Sequence, residues 1–281
     1  MEQLQRIRGW HIHHEERVLY RTTSGSPSIH LKFFHYPDYN QIVQIKNFPA
    51  HCKLKTKGHN SFFLFKQRLS TKGIISLERT VRVIPTPKFT KPSDNWGKIS
   101  SFSPSIQHKY QEGSYFWPTK SSTIQEISEK NWFKSDDLSN WVQSAHRFIS
   151  TKINYRENQS ERLGVYQALQ TGTGDCDEFT DLFITLARMR GIPCRRLTGY
   201  YISLGNIEAD SHAWGEVLSP KRGWITVDMA LNNLGNHTVN YVVLKIEEFN
   251  PVLPDFQIQA KHTIKVHYQL DRLSPDFTPI Y

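Results

Sequence analysis

Over the first eighty-odd residues, apolar and polar positions alternate in short runs separated by turn residues. Residues 18–22, 29–34, 41–45, 61–65 and 74–83 read as strands, broken by Gly25-Ser26-Pro27 and by Lys72-Gly73. In Ser76-Leu77-Glu78-Arg79-Thr80-Val81-Arg82-Val83 the two classes nearly alternate, the period of a strand with one wet face. Several strands at this spacing predict an antiparallel, sandwich-like module over residues 1–90. Prolines 85, 87, 92 and 104 then interrupt any period, and residues 91–120 are expected to form a linker. Trp96 and Phe102 within it are expected to lie against a domain rather than in solvent.

The period then becomes helical. Leu138, Trp141, Val142, Ala145, Phe148 and Ile149 make one apolar stripe, with Asp136 or Asp137 placed to cap it. A second helix opens at Cys176 after the Gly-rich stretch Thr171-Gly172-Thr173-Gly174-Asp175. Phe179, Leu182, Phe183, Leu186 and Ala187 supply its buried face, and Gly191-Ile192-Pro193 stops it. Strand-like runs follow at 195–204, 212–218, 224–227, 239–246 and 263–270. Helices followed by antiparallel-looking strands give an α+β class, with residues 121–281 as a second domain.

Composition adds limits rather than detail. With 281 residues, 38% apolar and carrying 7 Trp, 12 Tyr and 16 Phe, the chain can build a core, so wholesale disorder is excluded. No apolar run is long enough for a membrane-spanning helix. Met1 to Trp10 lacks the apolar centre of a secretory leader, and on that ground a cytoplasmic location is expected. Residues 1–100 hold 17 Lys or Arg against 6 Asp or Glu, whereas the remainder holds 18 against 20. An acidic partner for the basic region, such as an acyl-carrier protein, fits that asymmetry, and so does a plain solvated basic face. No recognition helix or single-strand motif points to nucleic acid. Three widely spaced cysteines support neither a disulfide framework nor a zinc knuckle, and neither metal nor cofactor is expected.

Of the three, Cys176 sits where chemistry is easiest. A thiol at a helix start meets the positive end of the helix dipole and its unpaired N–H groups, which favour the thiolate and can hold an oxyanion. Asp175, Asp177, Glu178 and Asp181 oppose a further negative charge there, so a nucleophilic role needs a base or cation beside the sulfur. His212, in Ser211-His212-Ala213-Trp214, lies at the start of one strand, and Asp228 ends the next. Adjacent strands can set the carboxylate beside the imidazole, fixing its tautomer while the other nitrogen faces Cys176.

These blocks carry a family resemblance. Gly174-Asp175-Cys176, Gly191-Ile192-Pro193-Cys194-Arg195 leading to Gly199-Tyr200, His212-Ala213-Trp214 and Trp224-Ile225-Thr226-Val227-Asp228 stand in the order of the transglutaminase-like superfamily. The resemblance covers about Leu138 to Ile246 and implies a papain-like α+β core. It implies Cys176 as nucleophile, His212 as general base and acid, Asp228 as orienting carboxylate, and Trp214 flanking the histidine against water. Cys194 replaces the usual alanine after Ile-Pro and is expected in the core. Eukaryotic members use an upstream tryptophan as oxyanion donor; here Trp132 and Trp141 are both available for that role or for the core. Calcium-site signatures are not evident. The β-rich N-terminal region is similar to the segment preceding the core in many bacterial members.

Such a triad performs acyl transfer from an amide or thioester through an acyl-enzyme. An amine acceptor gives amide formation or exchange, the main expectation for a peptide, protein or acyl-carrier substrate. Water gives a cysteine protease or amidase. A non-catalytic binding module on the same fold is the third reading. Asp177 and Glu178, with Glu208 and Asp210, fit an acidic mouth that binds a cationic amine, and fit a solvated helix start and loop equally well.

Overall fold

The computed structural model describes residues 6–22, 28–48, 50–68, 70–129, 134–157, 162–249, 256–260, 266–272 and 275–281. It is α+β. The N-terminal region holds β1 (Gly9–Thr22), β2 (Ser28–His35), β3 (Gln41–Asn47), β4 (Cys52–Lys57), β5 (Asn60–Arg68) and β6 (Lys72–Pro85). Next come β7 (Lys88–Phe89), α1 (Pro104–Tyr110), α2 (Ser122–Ser128), α3 (Leu138–Lys152), β8 (Asn154–Tyr155), α4 (Val165–Thr171), β9 (Thr173–Gly174) and α5 (Cys176–Met189). The chain continues through β10 (Cys194–Ser203), β11 (Glu208–Ser219), β12 (Gly223–Asp228), β13 (Asn233–Leu234), β14 (Asn236–His237) and β15 (Tyr241–Glu247). It closes with β16 (Phe256–Ala260), β17 (Val266–Arg272) and β18 (Asp276–Ile280).

Two antiparallel sheets, β17-β1-β6-β3 and β16-β2-β5-β4, form the sandwich. Alternation along β1 and β6 turns Val18, Ile75 and Leu77 inward onto Leu31, Phe33, Phe63 and Phe65 of the facing sheet. The last strands return to it: β17 and β18 both pair with β1, and β16 pairs with β2. A domain boundary at 121 therefore separates strands that pair, and 121–281 is not one spatial unit. The expected linker is corrected as well. Trp96, Ile99 and Trp117 are buried in the same core as the helices, because their rings complete the apolar layer over α3 and α5.

The central sheet runs β13-β12-β11-β10-β15, with α5 packed on β10 and β11. The stripe on α3 is buried at all six positions read from the sequence, and Asp137 caps the helix through the Asn140 N–H at 2.9 Å. Gly191, at φ 75°, takes the left-handed turn that ends α5. Among the described residues no helix is long and apolar enough to cross a membrane.

The sandwich grips the outer edge of this sheet through two side-chain amides. Gln41 donates to the Val243 carbonyl at 2.7 Å and accepts from its N–H at 2.9 Å. Asn60 does the same to Ile246, both bonds at 2.7 Å. Each amide thus satisfies backbone groups on the edge strand β15 that a neighbouring strand would otherwise pair.

Gly199 of β10 lies between β15 and His212, its pairing partner on β11. A Cβ there would stand 2.0 Å from the Val242 carbonyl oxygen and 2.9 Å from the Leu244 nitrogen. Gly199→Ala is expected to destabilise the protein by about 2–3 kcal/mol, read as a lower denaturant midpoint.

Candidate active site

Asp175 caps α5, and its geometry explains why a thiol follows in a fixed place. Its carboxylate accepts from the Asp177 N–H at 2.8 Å and from the Glu178 N–H, while Glu178 accepts from the Asp175 N–H at 3.1 Å. This reciprocal box closes the first turn and leaves Cys176 half-buried, with its thiol free of any disulfide. One turn on, the Thr180 hydroxyl donates to the Ala213 carbonyl at 3.1 Å, tying the helix to β11 beside His212.

The three residues expected to work together meet. His212 Nε2 lies 2.7 Å from Asp228 Oδ2, and Cys176 stands close enough to the same ring to raise its pKa. With Nε2 engaged by Asp228, Nδ1 is the nitrogen left for sulfur. Burial opposes a charged imidazole, but the bond to Asp228 and the nearby Cys176 outweigh it and hold the His212 pKa up at about 10. Asp228 is fully buried and accepts two more bonds, from the Tyr241 hydroxyl at 2.9 Å and the Leu231 N–H at 3.0 Å. Tyr241 is itself held by Asn233, which donates to its hydroxyl at 2.9 Å, and burial drives its phenol well above the ordinary value.

Trp214 stacks on His212, centroids 6.0 Å apart and planes 19° from parallel, and is fully buried. It backs the imidazole, and its burial leaves no surface for the substrate contact expected of it.

The acidic mouth changes most. Glu178 does not face solvent: it is fully buried, completing the capping box and accepting from the Leu163 N–H at 2.7 Å and the Gly164 N–H at 3.2 Å. Burial pushes its carboxyl up to about 7. Asp177 is ion-paired with the buried Arg196. Burial opposes its charge, but that guanidinium holds its carboxyl below the usual value. Arg196 also reaches Asp181 at 3.4 Å and Glu247 at 3.0 Å, and Asp181 accepts from Trp117 at 2.8 Å and Arg162 at 2.6 Å. The carboxylates that oppose a thiolate in sequence are thus engaged by N–H groups and cations. Glu208 and Asp210 of the expected mouth remain exposed.

Ligand atoms of Asp175, Cys176 and Asp177 gather within 4.8 Å, but the first caps the helix and the second carboxylate belongs to Arg196. Trp141 is buried against Phe183, 6.2 Å between rings, about 10 Å along α5 from Cys176, and so does not reach the sulfur. Trp132 lies outside the described residues. Cys194 is buried in the core, its thiol donating to the Ile184 carbonyl at 3.7 Å. Tyr241, Thr180 and Arg196 were not singled out by sequence. Each stands in an ordinary helix or strand pattern, and only its spatial partner gives it meaning.

Residues 126–229, a little over a third of the chain, match the family model described as the transglutaminase-like superfamily. A stretch of 71 residues is 34% identical to the uncharacterized protein YebA of Bacillus subtilis (strain 168), covering 21% of this chain and 10% of YebA. A "Putative Cysteine Protease" from Cytophaga hutchinsonii shares the fold at TM-score 0.60 and 18% identity, over 97% of this chain and 94% of that one. The periplasmic domain of TgpA from Pseudomonas aeruginosa is more distant, at TM-score 0.40 and 13% identity over 82% of this chain and 90% of that one. The expected cytoplasmic location is corrected here. The missing apolar stretch before Trp10 fixes no compartment. Residues 126–229 are thus a transglutaminase-like segment within a fold shared with the Cytophaga protein.

His212 is expected to remain an imidazolium at pH 7–9 in imidazole NMR spectra, losing its proton near pH 10. Because the folded value is raised above 6.5, the stabilisation it brings is complete below 6.5 and disappears as pH rises through about 10. Asp228→Asn leaves burial less opposed and moves the midpoint toward or below 6.5. A neutral ring at pH 7.5 in the unmodified protein contradicts the charged pair.

Proposed function

We propose that this protein is a cysteine hydrolase that cleaves a peptide or amide bond through an acyl-enzyme on Cys176. The observation that supports the reading is an imidazole bonded at 2.7 Å to a buried carboxylate, with the thiol of a helix start near enough to raise its pKa. The sulfur of Cys176, as thiolate, attacks the carbonyl carbon, and the carbonyl electron pair moves to oxygen. His212 Nδ1 gives its proton to the leaving nitrogen as the C–N bond breaks, leaving a thioester. Water then attacks while His212 takes its proton, the C–S bond breaks, and a carboxylic acid departs. Asp228 holds the ring and balances its charge throughout, steadied by Tyr241.

Hydrolysis is favoured over transfer by the loss of the amine-binding mouth. Asp177 and Glu178 are occupied within the protein, so neither is free for a cationic acceptor. The similar Cytophaga protein is described as a protease, which agrees. Transfer to an amine keeps one supporting observation: Glu208 and Asp210 are exposed on the same strand as His212, at the alternation that shares its face.

Iodoacetamide at pH 7 is expected to alkylate Cys176 at least about 100-fold faster than Cys52 or Cys194, whose thiols burial pushes up to about 11. Equal rates at all three, by peptide mass mapping, argue for a binding module. With a casein digest in oxygen-18 water, new carboxyl termini should carry the label. Cys176→Ala or His212→Ala should lower their formation about 1000-fold or more. Appearance of cadaverine adducts instead of labelled acids assigns transfer.

A further inference from the structure

An oxyanion forming on a substrate carbonyl needs two donors, and the backbone at Cys176 offers one. The Asp177 and Glu178 N–H groups are spent on the Asp175 carboxylate. That leaves the N–H of Cys176 as the donor in this turn without a partner among the described residues. The second must come from a side chain, and of the tryptophans among the described residues neither Trp141 nor Trp117 provides it. The first is buried in the core, and the second gives its indole N–H to Asp181 at 2.8 Å.

Tyr155 stands where the donor is missing. Its strand, β8, lies parallel to β9, the two residues that lead into Cys176, with Tyr155 opposite Gly174. The Arg156 N–H donates to the Gly174 carbonyl at 2.8 Å and fixes that register. The Tyr155 ring packs on Phe179, 6.0 Å between centroids. Phe179 is three residues beyond Cys176 and so on the same face of α5. The ring therefore covers the exposed flank of the first turn. Its hydroxyl has no hydrogen-bond partner among the described residues, and 56% of the residue is open to solvent.

We propose that Tyr155 is a further catalytic residue, its hydroxyl donating to the carbonyl oxygen as Cys176 attacks. The phenol stays protonated at working pH, since burial and then the nearby Cys176 and Asp175 push it up to about 12. The assignment rests on Cys176 being the nucleophile.

Two reactions of the same sulfur separate the donor from the nucleophile. In p-nitrophenyl acetate the thiolate adds to the acetyl carbon, the electron pair passes to the carbonyl oxygen, and p-nitrophenolate leaves with its bonding pair. Iodoacetamide is attacked at saturated carbon, iodide leaves, and no oxyanion forms. Tyr155→Phe keeps the ring on Phe179 and removes the hydroxyl. It should slow p-nitrophenolate release about 100-fold and leave alkylation of Cys176 unchanged. Unchanged acylation, or equal slowing of both reactions, overturns the role. An unmodified protein in which Cys176 reacts with neither reagent overturns the cysteine-hydrolase reading and this assignment with it.

Discussion

A thiol on a helix and an imidazole on a strand can share a proton only while helix and strand keep one offset, and that offset is set between α5 and β11. Thr180 bonds the Ala213 carbonyl one turn beyond Cys176 and one residue beyond His212. A turn further on, Phe183 lies over Gly215, where a Cβ would come within 3.2 Å of its ring. The missing side chain lets the helix come that close, and the hydroxyl fixes where along the strand it stops. Deeper still, Arg196 on β10 draws in Asp177 and Asp181 from the helix, and Glu247 from β15. A hydrogen bond, a steric gap and an ion cluster thus hold one distance.

The ion cluster also resolves a conflict in the local charge. Three carboxylates within three residues of Cys176 disfavour a thiolate if they are left to act as free charges. Here the Asp175 carboxylate is spent on helix N–H groups, Asp177 on Arg196, and Glu178 on three backbone N–H groups. Buried ion pairs are seldom net stabilisers, because desolvation of both partners offsets their attraction. This cluster is better understood as fixing geometry and cancelling field at the thiol.

The sequence pattern showed one kind of information well and another hardly at all. Periodicity reports which face of an element is buried, and so the α3 stripe, the α5 face and the Gly191 stop were legible. It does not report what an element pairs with. The run near residue 266 reads as a strand, yet nothing local says that it pairs with β1 more than 240 residues earlier. The same limit applies to the site. His212 and Asp228 were legible because both end up on neighbouring strands of a short hairpin. Tyr241 and Arg196 were not, because a tyrosine or arginine in a strand looks the same whether it touches solvent or a buried carboxylate. Glu178 misled for the opposite reason: an acidic residue in a first helical turn usually faces water, and here the loop at Leu163 and Gly164 covers it.

The excess of basic residues before position 100 divides once positions are known. Arg79 is not a surface charge: it is fully buried, bonded to Glu16 at 2.9 Å and to His14 at 2.7 Å. Lys53, Lys55 and Lys57 are exposed on β4, the outer strand of its sheet, at the alternate positions that share one face. Lysines there hinder pairing with a strand of another molecule, which gives these three charges a function inside the fold. Along β15 the sandwich is attached to the central sheet through Gln41 and Asn60, which make paired amide bonds. Salt screens ion pairs near the surface far more than it weakens neutral hydrogen bonds. The paired amides along β15 are therefore far less sensitive to salt than the basic surface beside them.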